Sequence, residues 1–227
     1  MSAFLEMFKD PEAVRRYTEN PPRYMPGYAD VQRMAVVLLA EHARPDASML
    51  VLGAGGGLEM KTFAELQPGW RLTGVDPASE MLALAAATLG PLASTVELIE
   101  GYIDAAPCGP FDAAACLLTL HFLHRDERLR TLREIHARLK PGAPFVAAHS
   151  SFPQESGARE AWLRRYAAFA VTKGADPQQA GQAQKAVGDM LALLGPEQDA
   201  DLMREAGFRD VELFYAAFTW RGWIALA

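Results

Sequence analysis

Four glycines fall within five positions, Gly53 and Gly55 to Gly57, directly after the apolar run Met49–Leu52 and before a helix-compatible stretch, Leu58–Leu66. In a strand, glycine turn and helix of this kind the backbone can approach a ligand closely, because no Cβ stands in the way. The helix that starts there directs free N–H groups and its positive dipole end at the turn. A second apolar run, Trp70–Val75, ends in Asp76. An acidic residue at that separation, about 20 positions on, is placed to accept hydrogen bonds from ribose hydroxyls. Glycine turns also occur merely to pack a helix on a sheet; Asp76 in register is what favours a nucleoside site. His121 and His149 follow two later apolar runs, and a neutral imidazole near its reference pKa suits general-base work there. A histidine at a strand end is as often a polar rim residue.

These groups need a frame. The chain of 227 residues, half of them hydrophobic and 22% charged, is of a size and composition for one large globular domain with a small insertion. A net charge of −6 disfavours a nucleic-acid surface. Cys108 and Cys116 form no disulfide scaffold and lack metal-ligand spacing, which points to a reducing, cytoplasmic setting and to no metal. The N-terminal stretch does not read as a signal peptide, and no apolar run is long enough for a bilayer, so no membrane partner is expected.

The order of elements supports a parallel sheet. Asp10-Pro11 opens a helix that should stop at Pro21-Pro22, followed by the punctuated loop Arg23–Tyr28. Residues 29–43 are amphipathic; His42 reads as a helix-end residue with no chemical role. Helices are expected over 77–89, 126–139, 155–171, 178–194 and 197–206, and strands at 49–52, 70–76, 95–99, 111–118, 144–148, 208–216 and 218–226, with the 100–110 crossover short or irregular. Strands alternating with helices give an α/β, Rossmann-like, doubly wound, mostly parallel seven-stranded sheet. The domain is expected to span 1–227, with an N-terminal arm over 1–28 and a helical insertion over 152–195 that can serve as lid or homodimer contact. Gly53–Gly57, Asp76, Tyr102–Asp104, Leu117–His121 and His149–Ser151 all lie at C-terminal strand ends, where ligands of such sheets bind. Arg15, Arg16, Tyr17, Arg23, Tyr24 and Tyr28 make the arm rich in groups that grip an anion or a ring; for Arg15 and Arg16, covering the sheet edge is favoured.

Several stretches together resemble class I S-adenosylmethionine-dependent methyltransferases: Val-Leu-Gly-Ala-Gly-Gly-Gly at 51–57, Thr-Gly-Val-Asp-Pro-Ala-Ser-Glu-Met-Leu at 73–82, Glu-Gly-Tyr-Ile-Asp at 100–104, Phe111-Asp112, and Leu132–Ile135 running to Leu139-Lys140-Pro141-Gly142. The resemblance covers about residues 30–150 and implies S-adenosyl-L-methionine as cofactor, S-adenosyl-L-homocysteine as product, and methyl transfer to an O, N or C nucleophile of a small molecule. It implies a cofactor site of Gly53, Gly55, Gly56, Gly57, Asp76, Pro77, Met81, Tyr102, Ile103 and Leu117. Met25-Pro26-Gly27-Tyr28 and Glu205-Ala206-Gly207-Phe208 are similar to the carboxy-S-adenosylmethionine synthases, in which the tyrosine touches the cofactor; hence Tyr28 joins the set. That branch's asparagine and carboxylate-holding arginine align with Leu117 and Leu202, which argues against carboxyl transfer unless Arg204 takes the role. Gly53 stands where the family's acidic residue helps bind the ammonium, Glu59 where it has a third glycine, and Tyr102 where it has an aspartate. Glu59 reads as a helix-start carboxylate favoured by the dipole, with the ammonium contact as the less favoured role. The alternative functions are the carboxy-S-adenosylmethionine synthase reaction and non-catalytic cofactor binding on the same fold.

Overall fold

The computed structural model describes Val14, Tyr17 and residues 19–227. Of the expected helix from Asp10, Val14 and Tyr17 are described, both helical; Arg15 and Arg16 lie outside the described residues. Pro21 and Pro22 stand in the first turn of a short helix, α1 (Asn20–Tyr24), where a loop from Arg23 was expected. The physical reason is that proline lacks only an N–H that the first turn leaves unpaired in any case. Gly27, at φ +64°, then leads into α2 (Tyr28–Ala40), and His42 lies exposed in the turn beyond it.

The sheet has seven strands in the order β3-β2-β1-β4-β5-β7-β6. They are β1 (Ser48–Leu52), β2 (Arg71–Asp76), β3 (Val96–Glu100), β4 (Ala113–Leu117), β5 (Pro144–Ser150), β6 (Arg209–Ala217) and β7 (Trp220–Leu226). Parallel pairing joins β3, β2, β1, β4 and β5, while β7 runs antiparallel to both β5 and β6. The seven-stranded, doubly wound architecture with an antiparallel last strand is thus as expected. β6 and β7 are joined through Phe218 and Thr219, and β6 carries register irregularities. Every residue of β4 and β5 is buried, as suits strands covered on both faces.

The helices between strands are α3 (Leu58–Leu66), α4 (Ser79–Leu89), α5 (Arg125–Ala137), α6 (Ala158–Thr172), α7 (Pro177–Met190) and α8 (Pro196–Glu205). β1 shows how the layers divide. Met49 and Val51 pack on one face with Leu39, Phe63 and Tyr166, while Leu50 and Leu52 pack on the other with Leu132, Ile135 and Met203. That alternation is the two-residue period of a strand. Between β3 and β4 only a short 3-10 turn, Ile103–Ala105, is formed, so the crossover is irregular. Asp176 and Pro177 do more than mark a break: the Asp176 carboxylate accepts from the N–H groups of Gln178 and Gln179 and caps α7.

One charged side chain pins the insertion to the sheet. Arg128, fully buried on α5, pairs with Asp199 of α8 and donates to the carbonyl of Leu123 at 3.1 Å and that of Ala192, just after α7, at 2.5 Å. A buried pair that loses one partner leaves an uncompensated charge. Asp199→Ala is therefore expected to lower stability by about 3–5 kcal/mol in denaturant unfolding, and Asp199→Asn by less.

Candidate functional site

β1 and β4 lie side by side although β2 and β3 follow β1 on its other side, so the strand order reverses between them. A crevice opens at such a point, beyond the C-terminal strand ends. Here it is a cavity of about 130 Å³ lined by Leu52, Gly53 and Gly55 after β1, Asp76, Pro77 and Met81 after β2, and Gly101, Tyr102 and Ile103 after β3. Its remaining wall comes from Tyr17, from Leu118, Thr119, Phe122 and Leu123 after β4, and from Glu127 and Thr131 on α5.

The glycine turn is held from β2. The N–H groups of Gly53 and Ala54 donate to the Val75 carbonyl, and Gly55 N–H donates to Asp76 Oδ2 at 2.9 Å. The other carboxylate oxygen of Asp76 accepts from Ala78 N–H at 3.0 Å. Each oxygen keeps a lone pair free of these bonds. Burial raises the Asp76 pKa, opposed by the two backbone donors. The turn tolerates no side chain at two points. A Cβ on Gly53 (φ +77°) would stand 1.9 Å from Thr119 Oγ1, and one on Gly57 (φ +77°) would stand 2.9 Å from the backbone of Ala85. Gly56 and Gly57 do not line the cavity; they bring α3 against Tyr17 and α4.

The strand-3 loop supplies a rim. Tyr102 is 51% exposed and Ile103 is buried beside it, offering a flat ring and an apolar edge. Asp104 turns outward into a bidentate pair with Arg130, at 2.8 and 3.0 Å. Leu118 holds a left-handed backbone (φ 58°), a conformation that costs a non-glycine residue about 1 kcal/mol or more and recurs at ligand sites.

A smaller cavity of about 10 Å³ adjoins the first, sharing Tyr17 and Leu118 as walls. Tyr28 and Leu117, both expected at the site, line it with Met25, Val31, Gln32 and Glu59. Glu59 stands in the first turn of α3, the helix-start carboxylate that its position suggested, but it is buried. It is 7% exposed, and burial pushes its pKa up to about 8, with Asp76 adding repulsion and its own backbone N–H opposing. Tyr17 and Tyr28 are held protonated, chiefly by burial.

The histidines lie elsewhere. His121 and His149 are 3% and 0% exposed and line neither cavity. His121 Nδ1 accepts from Ser150 N–H at 3.2 Å, which leaves its proton on Nε2, and its ring packs against Phe122 and Trp220. His149 Nε2 lies 3.2 Å from Asp199 without the alignment of a hydrogen bond, and its ring lies against Trp223. Burial lowers both pKa values. This geometry corrects the expectation that either serves as a base facing substrate. Residues 152–195 also contribute nothing to the two cavity walls; α6 packs instead on the arm, Tyr166 stacking on Tyr24 at 4.9 Å.

Glu127, Thr131, Phe122 and Leu123 were not legible as wall residues, since α5 carries an ordinary charged outer face. Tyr17 stood out only as one of several arm aromatics. Among the described residues no Arg or Lys lines either cavity, no group of His, Cys, Asp and Glu could hold a metal, and no helix is long and apolar enough to cross a membrane. Leu202 is buried in the core and Arg204 is exposed and paired with Asp201.

Comparison with known proteins agrees with the fold. Residues 49–142 match the methyltransferase domain family. The carboxy-S-adenosyl-L-methionine synthase of Methylococcus capsulatus is 26% identical over 99% of this chain and 95% of its own length. Human N-acetylserotonin methyltransferase, solved with S-adenosylmethionine, superposes with a TM-score of 0.68 at 15% identity, over 98% of this chain and 58% of its own. PigF, solved with S-adenosylhomocysteine, gives 0.69 at 17% identity over 100% of this chain and 62% of its own. The chain thus spans about three fifths of these two structures. In ring-nitrogen NMR at pH 7, His121 and His149 are expected to be neutral; protonated shifts for either would contradict their burial.

Proposed function

We propose that this chain, with the fold of class I S-adenosylmethionine-dependent methyltransferases and a methyltransferase domain at 49–142, is an enzyme that binds S-adenosyl-L-methionine and methylates an O, N or C nucleophile of a small molecule. The observation that carries it is the Asp76 carboxylate, fixed by Gly55 and Ala78 and lining the cleft where the strand order reverses. The residues fit the cofactor. Asp76 offers lone pairs to ribose hydroxyls, Met81 and Ile103 give the base an apolar slot, and Tyr102 can lie over its face. No side chain fits at Gly53, whose Cβ would meet Thr119, so bare backbone lines the cleft there.

When bound, S-adenosylmethionine supplies an electrophilic methyl group on a sulfonium. The chain's part is positioning: the acceptor is held in line with that methyl while Leu118, Phe122 and Leu123 exclude water. With both histidines buried, an acceptor that carries a proton loses it to solvent. A cytoplasmic setting and a homodimer through the 152–195 helices, where Val171 and Met190 are exposed, belong to the same proposal.

Carboxy-S-adenosylmethionine synthesis is the second reading, favoured by the Methylococcus relative. It meets an obstacle in the absence of Arg and Lys from both cavity walls among the described residues, since a buried carboxylate needs a cation. Calorimetry with S-adenosylhomocysteine is expected to give one site per chain. Asp76→Asn, which cannot accept from both N–H groups, should weaken it about tenfold or more. No binding by the wild type would overturn the proposal, and mass spectrometry of the co-purified nucleoside showing an added carboxyl group would favour the second reading.

A further inference from the structure

The smaller cavity holds a buried carboxylate that nothing in the described residues neutralises. Three carboxylates line the two cavities: Asp76, Glu127 and Glu59. Asp76 is engaged by two backbone N–H groups, and Glu127 pairs with Arg130 at 2.7 Å. Glu59 has no cationic partner among the described residues; its own backbone N–H at the start of α3 favours the charged form, and burial opposes it.

Size and chemistry of the space are specific. About 10 Å³ is the room that one water molecule, or one ammonium group, takes. Its other polar walls are hydroxyl and amide groups. Tyr28 shares a hydrogen bond with Gln32, whose Oε1 in turn accepts from Thr62 Oγ1 at 2.8 Å, and the third is Tyr17. None of these is a cation, so a positive ligand group would meet no repulsion from them. The cavity shares Tyr17 and Leu118 with the main cleft, and Glu59 stands two residues after Gly57. Gly53, on the other side of that turn, cannot carry an acid, because Thr119 fills the space its side chain would need.

We propose that Glu59 seats the primary ammonium group of an amino-acid-bearing nucleoside, with Tyr28 and Gln32 completing the seat. This rests on the cofactor assignment made above and deepens it, by naming which ligand end enters the smaller cavity and what holds it.

A pH dependence follows. Glu59 is faced by Tyr28 and Gln32 from α2, by Tyr17 from the arm, by Asp76 from β2 and by Cys116 from β4. Of these Asp76 is the other carboxylate, its pKa raised by burial; the tyrosines stay protonated, and the thiol is pushed up to about 12 by burial. In the free protein Glu59 ionises near pH 8, so below that pH a cationic ligand group must first displace its proton. Affinity for the ammonium-bearing nucleoside is lost as pH falls from about 8.

The test is calorimetric titration of wild-type protein and Glu59→Gln with S-adenosylhomocysteine and with its analogue lacking the amino group, at pH 6.5 and 8.5. Glu59→Gln is nearly isosteric with the protonated acid, and thermal melts at both pH values verify folding. At pH 8.5 the substitution should weaken S-adenosylhomocysteine about ten- to a hundredfold and leave the deaminated analogue within about twofold. It should also flatten the pH dependence seen in the wild type. Equal losses for both nucleosides, or no loss for either, would overturn the assignment of Glu59 while leaving the cofactor reading standing. Failure of the wild type to bind either nucleoside would overturn both. Glu59→Asp, one methylene shorter, should recover part of the discrimination between the two nucleosides; no recovery in a folded variant would count against the seat.

Discussion

One carboxylate joins the two loops on which the cleft depends. Asp76 sits at the end of β2 and takes a hydrogen bond from Gly55, in the turn after β1, and another from Ala78, at the entrance to α4. The bonds are buried, where an unmet donor or acceptor is costly. They fix the spacing of the two loops, and with it the width of the space between the glycine turn and the strand-3 rim. The glycines then have a mechanical meaning. Gly55 must present its N–H to Asp76 at φ +47°, and Gly57 must let α3 come within van der Waals distance of Ala85.

A second buried charge does for the outer half of the fold what Asp76 does for the cleft. Arg128 ties α5 to α8, to the Leu123 carbonyl just before α5 and to the Ala192 carbonyl just after the inserted helices. Its guanidinium also explains the histidine beside it. With Asp199 committed to Arg128 and burial disfavouring a charged imidazole, His149 stays neutral and packs against Trp223. The polar residues at the end of β5 thus serve the attachment of the insertion, and chemistry is left to the ends of β1, β2, β3 and β4.

Much of this was legible in the residues, because period and punctuation are local. The all-buried strands, the glycine turn and Asp76 in register each follow from neighbours in sequence, and together they fix the fold and the cleft. What was illegible depends on partners far along the chain. His149 reads as a base at a strand end until Asp199 and Trp223 close over it. Glu59 reads as a helix-start acid, and its burial beside Tyr28, Gln32 and the arm tyrosine depends on residues far from it in sequence. Glu127 and Thr131 face the cleft only because α5 crosses above it, and nothing in their own spacing says so. Pro21-Pro22 shows the same limit at short range, since proline can open a helix as readily as follow one.

The account's central claim is that the two adjoining cavities take one ligand, its ribose at Asp76 and its ammonium at Glu59. A crystal structure of the protein with S-adenosylhomocysteine tests this most directly. The account predicts ribose hydroxyls within hydrogen-bond distance of the Asp76 carboxylate, the base between Met81 and Tyr102, and the ammonium nitrogen within about 3 Å of a Glu59 oxygen. A nucleoside bound with its ribose away from Asp76, or with its amino-acid end pointing out of the smaller cavity, would contradict it.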